Sequence, residues 1–209
     1  MVGRALLAVV AVVSLIAAGS TLAQDGAPDV LVKTVTLEII DLIAKDKDLQ
    51  SGDQKKIVAV IESKILPHFN FAAMTRLAVA TNWEKSTAEQ RKQLTEEFKT
   101  LLVRTYSSAL STYRNQRFDF RPLRAKPTDT DVTVQVKISQ GSREAVSLEY
   151  DMEKTPYGWK VYDVRIAGVS LVASYRTEFA NEIRAHGVDG LIKSLVAKNQ
   201  GQGLRAERR

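Results

Sequence analysis

Apolar residues along the chain recur first at helical spacing, then in alternation, then at helical spacing again. From Pro28 to Lys47, Leu31, Val35, Ile39, Leu42 and Ile43 share one stripe while Lys33, Lys45 and Asp46 fall off it, which predicts a first helix. Ile57, Val58, Ile61 and the following Ile65 predict a second over Gln54–Lys64. Pro67 forbids an unbroken continuation, because it has no amide hydrogen and biases Leu66 away from helical angles. A new helix is expected from Asn70, a good N-cap type, to about Ala80. In TNWEKSTAEQ, Ser86 and Glu89 stand at capping-box spacing. Leu94, Phe98, Leu101, Leu102, Tyr106, Ala109, Leu110 and Tyr113 then form one buried stripe, with Lys92, Glu96, Lys99 and Ser107 turned to water.

After Tyr113 the period changes to two. Phe118 and Phe120 alternate with Arg117, Asp119 and Arg121, and Val132, Val134, Val136 and Ile138 alternate with Thr133, Gln135 and Lys137. The pattern returns in Val146, Leu148, Tyr150 and Met152, and less cleanly from Trp159 to Ile166. Gln140-Gly141-Ser142 and Thr155-Pro156-Tyr157-Gly158 suit hairpin turns of an antiparallel sheet with one apolar face. Gly168 leads into a helix from about Ser170 to Ala185 that stops at Gly187, and a last helix covers Val188–Ala197. Helices, about four strands, then helices again predict an α+β domain, with helices on one face of a curved antiparallel sheet. Such a half-cone encloses either a solid core or a pocket, and both satisfy the periodicity.

The first residues follow a different pattern. Arg4, an uncharged apolar run over Ala5–Ala18 and the small residues Thr21 and Ala23 read as a secretory signal peptide, residues 1–23, of bacterial style. The run is too short to span a bilayer, so a protein of the periplasm is expected. The domain then covers residues 24–197, and the polar stretch KNQGQGLRAERR from Lys198 is expected to be a disordered tail. No cysteine is present, so the fold rests on its apolar core rather than on disulfides. The formal charge of +6 is spread along the chain with no dense basic block, which argues against nucleic acid and for anionic lipid or acidic protein surfaces.

Little of the chain carries catalytic chemistry. The absence of cysteine excludes thiol nucleophiles and thiolate metal sites. The two histidines, His68 and His186, lie far apart without partners at metal-ligand spacing, so no metal site is expected. His68 reads as a packed or solvent-edge side chain rather than a catalytic or pH-sensing one, and His186 as a cation at a helix C-terminus. GVSLV at 168–172 resembles half of a nucleophile elbow but has Val172 where the second glycine belongs. Glu149 and Asp151 share a strand face and read as a solvated pair. No catalytic residue and no cofactor is expected. Arg117, Arg121 and Arg124 form either a solvated basic edge that blunts an exposed strand or a rim for lipid headgroups or a protein partner. The apolar stripes, equally, suit ordinary core or the walls of a cavity.

Two long stretches decide between these alternatives by resemblance. ILPHFNFAAMTRLAVATNWEKSTAEQRKQLTEEFKTLLVRTYSSAL, followed by YDVRIAGVSLVASYRTEFANEIRAHGVDGLI, resembles the MlaC, or toluene-tolerance, family of periplasmic phospholipid-binding proteins. The matching residues are Leu66, Pro67, Phe69, Phe71, Met74, Trp83, Phe98, Leu102, Tyr106, Tyr113, Tyr162, Asp163, Val164, Gly168, Val169, Ser170, Tyr175, Arg176, Phe179 and Gly187. Where the family commonly has Asp, this chain has Asn70. The resemblance implies an NTF2-like or cystatin-like fold with a deep apolar cavity, and phospholipid as cargo rather than cofactor. It also implies a shuttle between an outer-membrane lipoprotein-porin complex and an inner-membrane ABC transporter, maintaining outer-membrane lipid asymmetry.

On that reading, a monomer holds lipid tails between Val134, Val136, Val146, Leu148, Tyr150 and Val164 of the sheet and Phe69, Phe71, Met74, Leu77, Phe98, Leu102, Tyr106, Val169 and Val172 of the helices and their ends. Arg117, Arg121 and Arg124 would face headgroups or partners. The rivals are a periplasmic chaperone or adaptor that binds protein along the Arg117/Arg121 edge, and a hydrolase, which the sparse histidines disfavour.

Overall fold

The first helix, α1 (Pro28–Lys45), starts with proline in its first turn, where a missing amide hydrogen leaves no bond unmade. Asp46 ends it and caps α2 (Lys47–Ser51), its carboxylate accepting from the amides of Asp48 and Leu49; Gly52, at φ 89°, closes α2 in the left-handed region. Five residues are too few to repeat a stripe, so periodicity does not announce α2. The computed structural model describes residues 26–107, 116–141 and 144–201, which form seven α-helices and one five-stranded antiparallel sheet. The expected signal peptide, Ala109, Leu110, Tyr113 and Ser142 lie outside the described residues.

Helix α3 (Gln54–Val60) is shorter than the expected Gln54–Lys64. Ile61–Ile65 widens into a π-helical turn, in which the Leu66 amide reaches back to the Ile61 carbonyl, and Leu66–His68 tightens into a 3₁₀ turn around Pro67. The chain then straightens. Phe69 lies beside Val161 as a parallel bridge, and the Asn70 amide donates to the Val161 carbonyl at 2.8 Å. Asn70 Oδ1 accepts from the Ala73 amide at 3.1 Å, capping α4 (Phe71–Val79), while its Nδ2 donates to Glu153 Oε1 on the sheet at 2.7 Å. One side chain thus starts a helix and fastens it to a strand.

Helices α5 (Asn82–Lys85) and α6 (Ala88–Tyr106) follow. The capping box of α6 is Thr87 with Gln90, one residue beyond the expected Ser86 and Glu89: the Thr87 hydroxyl accepts from the Gln90 amide, and the Gln90 side chain accepts from the Thr87 amide. Ser86 is instead spent on the end of α5, its hydroxyl donating to the Asn82 carbonyl. Ser107, expected to face water, is buried, and its hydroxyl returns to the Arg104 carbonyl.

Strands β1 (Arg117–Phe120), β2 (Asp131–Ser139), β3 (Val146–Thr155), β4 (Gly158–Ile166) and β5 (Val169–Ser170) pair in sequence order. The fifth strand, beyond the four expected, is two residues long and pairs Val169 with Ile166. The untidy alternation of β4 has a physical cause. Asp151 pairs with Asp163 but Met152 pairs with Val161, so Tyr162 is an extra residue in a β-bulge. Without it, Val161 and Val164 would face opposite sides; with it, both face inward.

Helix α7 (Leu171–Asn199) begins where β4 and β5 end. Ser170 caps it through the Ala173 amide at 2.9 Å, and Asp163 accepts from the Val172 amide at 3.1 Å and from the Ser170 hydroxyl. Gly187, at φ 72° and ψ −178°, interrupts the helix where a break is expected. Lys198 and Asn199, assigned to the tail by composition, belong to the helix: Asn199 is buried and donates to the Glu97 carbonyl and carboxylate at 2.9 and 2.7 Å.

Three apolar clusters result. One lies among α4, α6 and α7, with Phe98 and Phe179 edge to face at 5.2 Å. A second lies on the inner face of the sheet around Val134, Val136 and Met152, and a small third joins Ile43, Leu49, Ile57 and Ile61.

Two substitutions test the joints. Asp163→Ala strips a buried acceptor from the start of α7 and should cost about 2–4 kcal/mol in urea denaturation without changing the slope; a loss near zero would show that Ser170 suffices as the cap. Asn70→Asp keeps the cap but sets a second carboxylate against Glu153. Mutual repulsion raises the pKa of the folded pair, so about 1 kcal/mol should be lost near neutral pH and regained as pH falls below about 4.

Candidate functional site

The three clusters meet around a cavity of about 510 Å³. Its walls come from α1 (Leu31, Val32, Val35, Thr36, Ile39), the irregular turns (Ile61, Ile65, Leu66, His68, Phe69), α4 (Phe71, Met74), the end of α6 (Leu102, Val103, Tyr106, with Ser107) and Leu171 of α7. The sheet contributes Ile138, Leu148, Tyr150, Met152, Val161, Val164 and Ile166. Alternation places Leu148, Tyr150 and Met152 on one face of β3, and the bulge adds Val161 and Val164 beside them. Phe69, bridged to Val161 beside the sheet, stacks on Phe71 at 5.7 Å.

The lining is almost wholly apolar, and two of its five polar side chains are turned to their own backbone. The Thr36 hydroxyl donates to the Val32 carbonyl at 2.7 Å, as that of Ser107 does to Arg104. Burial pushes the Tyr150 phenol up to about 12. His68 is half-buried; burial first, and then the Lys160 cation, hold its imidazole below the ordinary range, with Glu38 acting weakly the other way.

Of the residues named from the sequence as cavity walls, Phe69, Phe71, Met74, Leu102, Tyr106, Leu148, Tyr150 and Val164 line this space. The others do not. Phe98 and Val172 are packed inside the helical cluster, and Leu77 lies against it. Val134 and Val136 are filled in among the sheet side chains at 2% and 1% exposure. Val146 and Val169 stand exposed at the end of the sheet. The largest omission is α1, whose stripe of Leu31, Val35 and Ile39 is visible in the sequence but carries no sign of which element it covers.

The charged groups sort to other faces. Arg117, Arg121 and Arg124 are exposed, and none borders the cavity. Arg121 pairs with Asp119 at 3.2 Å and, with Arg124, edges a separate polar groove containing Asp129, Asp131, Thr133 and Gln135. Glu149 and Asp151 are less solvated than their alternation suggests. Arg165 lies 2.8 Å from Glu149 and 2.9 Å from Asp151, which is buried and also accepts from the Thr133 hydroxyl at 2.7 Å. Burial raises the Asp151 carboxyl, against the hydrogen bond from Thr133 and the Arg165 cation. Among the described residues no three His, Cys, Asp or Glu side chains converge as metal ligands, and no helix is long and apolar enough to cross a membrane.

Comparison with known proteins places this chain in a family. The family model described as MlaC protein matches residues 33–197. The intermembrane phospholipid transport system binding protein MlaC of Haemophilus influenzae is 22% identical over 178 residues, which cover 84% of this chain and 83% of that protein. The toluene tolerance protein ttg2D of Pseudomonas putida is 22% identical over 163 residues, covering 78% and 75%. A phospholipid-binding protein from Ralstonia solanacearum, solved in complex with a phospholipid, is 38% identical and superposes with a TM-score of 0.76 over 83% of this chain and 97% of that one.

The environment of His68 yields a pH dependence. The fold favours the neutral imidazole, so below about pH 6.5 the unfolded chain takes up a proton before the folded one does, and stability falls as pH drops toward the lower folded value. His68→Gln should remove this part of the slope between about pH 7 and pH 5 in denaturation midpoints, and parallel curves for the two proteins would refute it.

Proposed function

The chain belongs to the MlaC family, and from that premise we propose that it is the phospholipid-binding component of an intermembrane lipid transport system. The observation that carries the proposal is the cavity: about 510 Å³ bounded by aliphatic and aromatic side chains, with no charged side chain in its lining. At about 0.8 kcal/mol per buried methylene, an acyl chain of some 16 carbons is worth on the order of 12 kcal/mol, so a lipid does not cross water unaided. A carrier that hides the tails and leaves the headgroup at solvent meets that requirement without catalysis. The phospholipid bound by the Ralstonia solanacearum protein and the intermembrane transport role in the name of the Haemophilus influenzae relative support the same reading.

In its finer form, the protein works as a monomer in the periplasm, to which the signal-like first 23 residues would direct it. It exchanges lipid with an outer-membrane lipoprotein-porin complex and an inner-membrane ABC transporter, and so helps to keep the outer membrane asymmetric. The exposed Arg117, Arg121 and Arg124 are then candidates for partner contact rather than headgroup contact, since they lie off the cavity.

Solvent extraction and mass spectrometry of the purified protein should find bound phospholipid. Leu102→Arg, which puts a charge in the wall, should lower occupancy about tenfold or more. Phe98→Ala, behind the wall, should cost about 3–5 kcal/mol of stability yet leave occupancy nearly unchanged. Protein free of lipid would refute the carrier and favour an adaptor using the basic edge.

A further inference from the structure

One hydroxyl in the cavity is treated unlike the others. The hydroxyls of Thr36 and Ser107 are absorbed by carbonyls of their own helices and that of Tyr106 is engaged by Tyr175, but that of Tyr150 makes no hydrogen bond with any described residue. Nor is its oxygen sealed in protein, as Asn199 Oδ1 is. A phenol pushed up to about 12 is a neutral donor at any physiological pH.

Its depth is set by the sheet. Tyr150 pairs with Val134 on one side and Val164 on the other, both buried, so the ring is held on the middle strand. Among the cavity's wall residues, Ile166 is one of the most exposed, at 37%, and it pairs with Leu148. Tyr150 lies two residues further along β3, about 7 Å deeper at ~3.3 Å per residue. Two residues beyond it, Met152 is fully buried. Exposure thus rises from Met152 through the half-buried Tyr150 to Ile166, so the donor lies between the sealed and the exposed ends of this wall.

We propose that the Tyr150 hydroxyl is a specificity site that donates a hydrogen bond to an ester carbonyl of the bound lipid. The inference rests on the phospholipid-carrier reading above. With the headgroup held at solvent near Ile166, the linkage between headgroup and tails falls at the depth of Tyr150. A buried donor left without a partner costs about 1–3 kcal/mol, which a methylene cannot relieve and a neutral carbonyl oxygen can. A carboxylate would be a poor substitute, because it would have to be stripped of water in an apolar wall. The cavity thus distinguishes acyl-ester lipids from lipids of the same shape whose tails are ether-linked and lack carbonyls.

The test is competitive uptake from mixed vesicles holding two phospholipids of identical headgroup and chain length, one diacyl ester and one dialkyl ether, read by native mass spectrometry on the full chain. The wild type should favour the ester lipid by about tenfold, the worth of one well-made hydrogen bond. Tyr150→Phe keeps the ring and should abolish the preference, bringing ester-lipid uptake down to that of the ether lipid. Equal uptake of both lipids by the wild type, or a preference that survives Tyr150→Phe, overturns the inference and leaves the carrier intact. Uptake of neither lipid overturns both. If Tyr150→Phe fails to fold, the ester-to-ether ratio of the wild type decides alone.

Discussion

An apolar space walled by protein but not filled by it is the constraint around which this fold is arranged. A space of roughly 510 Å³ leaves the side chains around it without packing partners on one side, and unfilled apolar volume costs stability. The wall must therefore stand on a second layer that is packed without gaps. Phe98, Phe179, Leu94 and Leu191 provide it on the helical side, and Val134 and Val136 within the sheet, each at 2% exposure or less. Residues that never touch the cavity decide whether it can exist.

The connections between layers are polar, short and local. Asp163 ties β4 to α7, Asn70 ties α4 to β3, and Asn199 ties the end of α7 to α6. Asp163 and Asn70 satisfy backbone amides that would otherwise be stranded at the start of a helix, while Asn199 reaches a carbonyl and a carboxylate of Glu97 in the middle of α6. Asn70 shows why an amide suits its position: it accepts from the helix and donates to Glu153, where a carboxylate could only accept. Polar chemistry thus clusters at the joints and on the far face of the sheet, around Arg165, and leaves most of the cavity wall to carbon, with Thr36, His68, Tyr106, Ser107 and Tyr150 as the polar side chains in it.

Most of the architecture is legible in the chain because its two periods are clean. The α6 stripe, the alternation of β2 and β3, the break at Pro67 and the stop at Gly187 follow from which side chains must leave water and which backbone angles proline and glycine permit. One misplacement turns on a choice between neighbours of similar propensity. Ser86 and Thr87 cap equally well in principle, and the tertiary path awarded Ser86 to α5. The π-helical turn before Pro67 and the bulge at Tyr162 change local geometry by one residue, which no period registers but which re-aims Val161 and Val164 together.

By itself the sequence determined the longer elements, the absence of thiol chemistry, the inward faces of helix and strand and, through its resemblance to a family, the expectation of lipid. Only the tertiary structure decided which inward residues meet space and which meet one another. Phe98 and Leu102 lie four residues apart on one stripe, yet Phe98 is locked among Tyr175 and Phe179 while Leu102 reaches the cavity. The physical reason is that burial removes a side chain from water in the same way whether its new neighbour is protein or cargo, so hydrophobic pattern records that a residue is hidden but not from what. That distinction is made by the distance between layers, which α1, the irregular turns before α4 and the bulged β4 set in three dimensions.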